Sequence, residues 1–232
     1  MARKAKIPNE IKKRFVRTNK KREQNVRVKR KYFLIVCEGE RTEPNYFESL
    51  KQDLPNGILA TYQIDIEGTG RNTQSLIDEA LRIKSKYESD YNRKIDKIWA
   101  VFDKDSFSAN DFNNAILRCK NASPKIGCAW SNEAFELWYL LHFHYYNSPI
   151  SRKDYQHLIE ENLQPYIGKD YKYEKNSKVM YSLLKKHGSL ENAIRNAIKL
   201  REIYGENSDF ANQNPRTEVY LLITELLKLK KY

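Results

Sequence analysis

The stretch Phe33-Leu34-Ile35-Val36-Cys37-Glu38-Gly39-Glu40 decides the fold. Five apolar residues in a row are followed at once by an acid, a glycine and a second acid. A short unbroken apolar run reads as a strand covered on both faces, as in the interior of a parallel sheet. The pattern recurs at Ile98-Trp99-Ala100-Val101-Phe102-Asp103-Lys104-Asp105. Ligands of parallel sheets bind outside the carboxyl ends of the strands. Glu38, Asp103 and Asp105 are therefore expected to meet on one edge, although far apart in the chain. Carboxylates brought that close repel one another unless a cation lies between them. Hard oxygen donors of this kind suit Mg²⁺ or Mn²⁺. Metal-bound carboxylates are a common way to cleave or join phosphodiesters.

Working outward, residues 32–37, 62–66, 97–102 and 126–130 read as strands. Helical patterns lie between them at Thr42–Asp53, from Thr73 along the stripe Leu76, Ile77, Ala80 and Leu81, and at 110–119. Pro44 is tolerated in a first helical turn, and Leu54-Pro55-Asn56-Gly57 breaks the helix before it. Strand–helix alternation predicts an α/β fold with a mostly parallel, helix-covered sheet. Ser131-Asn132 is expected to open an apolar helix ending near Tyr146. Beyond Pro149 only helices are expected, at 151–163, 177–187, 189–204 and 215–230, with Asn214-Pro215 as N-cap and first-turn proline. The organisation is then a basic arm at 1–30, an α/β core at 31–148 and a helical extension at 149–232 packed on it.

The 232 residues suffice for one core of ordinary size, and 40% hydrophobic with 31% charged residues describes a globular chain. No apolar stretch is long enough for a bilayer, and no apolar segment follows the basic N-terminus as a secretory signal requires. Cys37, Cys119 and Cys128 are odd in number and widely spaced, which excludes a disulfide framework or zinc-ligand spacing and suits a reducing cytoplasm. The net charge of +12 is unevenly placed. Of 42 Lys/Arg and 30 Asp/Glu, residues 1–31 hold 14 and two, so the remaining 28 and 28 balance. A basic arm, Arg22 and Arg30 included, ahead of a neutral body suits a phosphate backbone.

Other residues add to the edge. Glu136 lies among Phe135, Leu137, Trp138 and Leu140, where a carboxylate needs a partner; it is a candidate ligand or proton carrier. Asn132, four residues earlier, is placed at a helix N-terminus, which attracts phosphate. Gly68-Thr69-Gly70-Arg71-Asn72 could cradle a phosphate through backbone N–H groups and Arg71, although no Walker lysine pattern follows. Lys175 sits in a Tyr/Lys-rich stretch suited to bases and phosphates. His142 and His144 fall late in their helix, where the dipole favours a cation, and read as structural.

Taken together, Val36-Cys37-Glu38-Gly39-Glu40-Arg41-Thr42-Glu43-Pro44-Asn45-Tyr46-Phe47, Phe102-Asp103-Lys104-Asp105, Ser131-Asn132-Glu133-Ala134-Phe135-Glu136-Leu137-Trp138 and Asn214-Pro215-Arg216-Thr217 resemble the RloB-like family over about 31–230. One departure is Glu133-Ala134, where the family pattern usually has Pro-Cys. The family is in turn similar to the TOPRIM fold of topoisomerases, primases and OLD-type nucleases, with a glutamate after the first strand and a DxD after the third. The resemblance implies a TOPRIM-like core, metal-dependent phosphodiester chemistry, a partner ATPase and a role in defence against phage or plasmids. The expected activity is a Mg²⁺- or Mn²⁺-dependent nuclease acting on DNA or RNA. Glu38, Asp103, Asp105 and Glu136 are its catalytic residues, the first three of them also metal ligands. Asn132, Lys175, Arg71, Arg22 and Arg30 contact nucleic acid or phosphate. The alternative is a non-catalytic nucleic-acid-binding subunit gated by a partner ATPase. A haloacid-dehalogenase phosphatase is disfavoured, because that fold wants its DxD after the first strand. The oligomeric state is open, with a homodimer among the options.

The arm carries the whole charge excess, so deleting residues 1–30 is expected to weaken nucleic-acid binding without unfolding the body. For every phosphate the shortened chain no longer neutralises, the salt dependence flattens by about 0.7 to 0.9 log units per decade of salt. Binding measured across a salt series for full-length and truncated protein checks this; an unchanged slope assigns the arm to a protein partner instead.

Overall fold

The computed structural model describes residues 31–70, 73–92, 94–105 and 107–229. The arm at 1–30, with Arg22 and Arg30, and Arg71 of the glycine loop lie outside the described residues. The strands are β1 (Lys31–Cys37), β2 (Tyr62–Gly68), β3 (Lys97–Asp103), β4 (Gly127–Asn132) and β5 (Arg216–Thr217). The helices are α1 (Thr42–Gln52), α2 (Asn56–Thr61), α3 (Thr73–Asp90), α4 (Ala109–Asn121), α5 (Glu136–Leu140), α6 (Arg152–Ile167), α7 (Met180–His187), α8 (Leu190–Tyr204) and α9 (Val219–Lys228). The five strands form one sheet in the order β2-β1-β3-β4-β5. The first four are parallel and β5 is antiparallel on the edge. The expected α/β class, with a mostly parallel sheet flanked by helices and helices toward the C-terminus, is what the chain adopts.

The apolar runs divide residue by residue between two cores, because side chains alternate across a strand. From β1, Phe33, Ile35 and Cys37 enter one core, and Leu34 and Val36 the other. From β3, Trp99 and Val101 join the first, and Ile98, Ala100 and Phe102 the second. The first core also takes α1 through Tyr46, Phe47 and Leu50, and helices α5 to α9 through residues such as Trp138, Leu163, Leu184, Leu200 and Ile223. The second takes α3 and α4 through Leu76, Ile77, Phe112 and Ile116. This has a consequence for the site. The connection leaving β1 through α1 lies on one face of the sheet, and the connection leaving β3 through α4 lies on the other. β1 and β3 are neighbours, so their loops part at the carboxyl edge and leave a crevice there.

Two sequence expectations give way to tertiary pairing. Ser131 and Asn132 end β4 and do not open a helix; Ser131 pairs with Thr217 and Asn132 with Arg216. A buried Ser131–Thr217 hydroxyl contact of 2.9 Å joins the two strands. The following peptide, Asn132–Glu133, is cis, and the helix beyond it covers only Glu136–Leu140. Asn214-Pro215 is likewise a cis bond leading into β5, and the last helix starts at Val219. Local sequence holds no sign of these pairings, because each strand's partner lies more than eighty residues away. Leu54–Gly57 ends the first helix as expected, but Asn56–Thr61 turns into a short helix of its own.

His142 is also placed differently. It lies beyond α5, is buried, and its Nδ1 is 2.9 Å from Trp138 O, so the ring donates there as a neutral tautomer. Burial pushes its pKa down to about 4, so it is not the helix-end cation the sequence implies. The three cysteines are free, Cys37 and Cys119 buried. Among the described residues no helix is long and apolar enough to cross a membrane.

Gly127 opens β4 where Trp99 of β3 crosses it, and a Cβ there would overlap the indole. Trp99 in turn donates from Nε1 to Glu225 of α9 at 3.2 Å. Gly127→Ala is expected to lower stability by about 1–3 kcal/mol, the usual cost of overpacking. In a Trp99→Leu background the same substitution is expected to cost markedly less, and a double-mutant cycle by chemical denaturation measures the difference.

Candidate active site

Asp103 is the last residue of β3 and stands on the same side of the sheet as Trp99 and Val101. β1 and β3 end level with each other: the register pairs Cys37 with Val101, and Glu38 N donates to Val101 O at 2.9 Å. Glu38 leaves β1 and folds its carboxylate back over β3, where Oε2 accepts from Asp103 N at 3.2 Å. On the other side, Phe135 N donates to Asp103 Oδ2 at 3.0 Å. The DxD turn is fixed by strand-like bonds to the chain after β4: Lys104 N to Ser131 O at 2.8 Å and Asp105 N to Glu133 O at 3.1 Å. Asp105 has a positive φ of 35°, a conformation that Asp tolerates better than most residues.

Glu38, Asp103, Asp105, Glu136 and Lys175 all line one cavity of 430 Å³ at this edge. With Glu40 and Glu43 the lining holds six carboxylates against three cations, Arg41, Arg152 and Lys175. Glu136 opens α5, is buried, and accepts a 3.0 Å hydrogen bond from Tyr173 Oη. The acid excess shows in protonation. Burial first, then Glu43, Glu136 and Glu38, push the Asp103 pKa well above the carboxylate range, against the opposing Phe135 N–H. Glu43 is raised as well, by burial and by Glu136, with Lys175 and the N–H groups of Gly39 and Glu43 itself opposing. Asp103 as a residue is half-buried, yet its Oδ1 is closed off from solvent and has no hydrogen-bond partner. An orphaned buried carboxylate oxygen needs an explanation, such as an ion.

Asp105 behaves differently from Asp103. Its carboxylate forms an ion pair with Arg152, the first residue of α6. Arg152 N donates at 3.0 Å to Glu133 Oε2, which fixes the start of α6 against the turn after β4. Among the described residues no group of three His, Cys, Asp or Glu side chains is arranged to hold a metal ion together. The donor set nevertheless fits a hard divalent cation. All its donors are oxygens, the negative charges outnumber the positive ones, and Asp103 Oδ1 lacks a partner.

Asn132 is elsewhere. It is buried, and its amide donates to Ala211 O at 2.8 Å and Phe210 O at 3.3 Å, tying β4 to the 3₁₀ turn at Phe210–Asn212. It stands at a strand end, so no helix N-terminus presents it to a phosphate. Sequence reasoning gave no role to Glu43 or Arg152, and it read Tyr173 as part of a stretch suited to bases rather than as the partner of Glu136. Glu43 had a local signal: it lies five residues after Glu38, in the first turn of the next helix. Gly39 is what lets it in, because a Cβ at position 39 would overlap the Glu43 carboxylate. Arg152 and Tyr173 come from the later helical part of the chain and had no such signal.

The RloB-like protein family model matches residues 33–226, and the chain belongs to that family. No curated protein and no solved structure matches it.

The raised Asp103 pKa sets a pH dependence. The folded state holds this proton more tightly than the unfolded chain, whose Asp titrates near 3.9. The group therefore favours folding below that value, and the benefit is lost as pH rises through the folded pKa. Asp103→Asn keeps an acceptor for Phe135 N and removes the charge. The variant is expected to melt higher than wild type at pH 7 to 8, with the difference vanishing below about pH 4. Equal melting temperatures throughout would contradict the burial of a repelled carboxylate at this position.

Proposed function

We propose that the acidic cavity hydrolyses phosphodiester bonds of DNA or RNA with a divalent cation, Mg²⁺ or Mn²⁺. The orphaned Oδ1 of Asp103, within a cluster of like charges, is the observation that carries this reading. A phosphodiester is an anion, and six carboxylates against three cations repel it. A cation taken up at Asp103 would lessen that repulsion and supply Lewis-acid polarisation of a phosphoryl oxygen, with Glu38 and Glu136 of the same cavity turning toward it once it is bound. Lys175, Arg41 and Arg152 border the same cavity and can take non-bridging oxygens. Glu43 carries a carboxyl whose pKa is raised by burial and by Glu136, the direction a proton donor to a leaving oxygen needs. Tyr173 holds Glu136 in place from the far side. In this reading the core is TOPRIM-like, and the chain is the effector of an anti-phage system that includes a partner ATPase; the family resemblance supports that context.

A second reading, a non-catalytic nucleic-acid-binding subunit, is favoured by one observation. Asp105 is engaged by Arg152, so the DxD pair does not present two open carboxylates. Incubating the protein with single- and double-stranded DNA and RNA and with Mg²⁺ or Mn²⁺ separates the readings. The expected result is metal-dependent cleavage that Asp103→Asn abolishes, and a rise in melting temperature with Mg²⁺ in wild type but not in Asp103→Asn. Glu43→Gln is expected to lower kcat by about 10²- to 10⁴-fold, the usual weight of a proton-transfer group, with KM little changed. Metal binding without cleavage of any substrate favours the second reading, and cleavage retained in Asp103→Asn rejects the site.

A further inference from the structure

The wall of the acidic cavity continues past it along α1. Thr42, Asn45 and Ser49 recur about one turn apart on one helix face. Thr42 Oγ1 donates to Lys175 O at 3.0 Å and Asn45 Nδ2 to Asn176 O at 2.9 Å, while Ser49 Oγ donates to Asn45 O of its own helix at 2.8 Å and lies 3.4 Å from Lys178 O. The first two turns of α1 thus hold successive carbonyls of the segment between α6 and α7, which runs along the helix as a strap as far as Lys178. Tyr173 Oη anchors the near end of the strap, reaching Glu136 at 3.0 Å and Lys175 O at 3.4 Å. Lys175 and Lys178 are exposed on it.

Where the strap ends, a second cavity of 510 Å³ opens between α1 and α7. Its lining is polar: Ser49, Gln52 and Ser182 with Lys178, Lys185 and Lys186, together with Asp53 and Tyr181. Asp53 is the single acid lining it and is bonded to Lys185 and to Tyr181 Oη. Among the described residues no ion pair engages Lys178 or Lys186. The two cavities share one wall and have opposite charge: the first has an excess of acids, the second an excess of lysines.

We propose that the second cavity binds a backbone phosphate of a polynucleotide strand, and that Lys175, Lys178 and Lys186 form a track leading the strand out of the acidic cavity. The proposal rests on the acidic cavity being a phosphodiester site and names how its substrate is held. The acidic cavity does the chemistry and cannot itself attract a polyanion; the lysine cavity supplies the grip. A lining of hydroxyls, an amide and ammonium groups matches phosphate oxygens and offers little apolar surface to a lipid or a hydrophobic peptide. Lysines engage phosphate as point charges without reading bases, so the track accepts any sequence. The stretch of α1 from Thr42 to Asp53 is roughly 16 Å long. At about 3.4 Å of rise per nucleotide, that is about five nucleotides along one strand. Binding is therefore expected to strengthen once a strand exceeds about that length.

The test uses full-length protein carrying Asp103→Asn, so that strands stay intact, and labelled single strands of three to fifteen nucleotides across a salt series. Affinity is expected to rise beyond about five nucleotides. Lys178→Ala/Lys186→Ala, two exposed positions, is expected to remove that rise and to flatten the salt dependence by about 1.4 log units per decade, two phosphates at about 0.7 each. The charge-matched pair Lys86→Ala/Lys125→Ala, in α3 and in the loop after α4 on the opposite face of the sheet, is expected to leave the slope alone. If both double variants behave alike, the track is overturned while cleavage by wild type still upholds the acidic site. If the first variant loses strand binding and wild type cleaves nothing, the track stands and the proposed activity falls. Loss of binding to vesicles of anionic lipid, with strand binding unchanged, overturns the track in favour of a membrane surface.

Discussion

Asp103 carries a carboxylate into a place where burial, Glu43, Glu136 and Glu38 all oppose its ionisation. The backbone N–H of Phe135 and the Arg152 charge work the other way. Such a position costs stability, and a fold keeps it only if surrounding structure holds it there. Here that structure is the parallel sheet. β1 and β3 are central strands whose side chains enter two cores at once, so their ends cannot drift apart without disrupting both. The repulsion among the acids is built into the packing.

The site is also the point where the sheet's connections separate. α1 goes to one face after β1 and α4 to the other after β3, and the crevice between them is open because no connection crosses it. The side that carries α1 carries the later helices as well, and they close over the acids. α5 presents Glu136, α6 presents Arg152, and the strap before α7 presents Tyr173 and Lys175. The later helices therefore do more than enlarge the core: they and the strap bring two of the cavity's three cations, Arg152 and Lys175, beside Arg41 at the sheet edge.

Within this arrangement the two aspartates of the DxD turn have different surroundings. Asp103 is buried among like charges, which push its pKa up. Asp105, two residues on, is paired with Arg152 at the start of α6. Identical side chains two positions apart thus differ in charge environment because one follows the strand into the core and the other turns out toward a helix.

The strands, the parallel sheet and the convergence of Glu38 and Asp103 were legible in the sequence. Continuous apolar runs admit few alternatives, and chain direction puts their ends on one edge. Glu136 was legible too, as a lone acid in an apolar segment. The sequence did not reveal that Ser131-Asn132 ends a strand, because its partner, Arg216-Thr217, is distant and two residues long. For the same reason Asn132 was assigned to a phosphate, whereas its amide serves the carbonyls of Phe210 and Ala211. Glu43 was hidden by its ordinary appearance in a first helical turn, and its proximity depends on Gly39 having no side chain. Arg152, Tyr173 and the lysine cavity arise from helix packing over the sheet. Local pattern determines which residues are buried and which strand ends carry acids; only the packing of distant segments decides which charges face each other, since that depends on contacts no local period encodes.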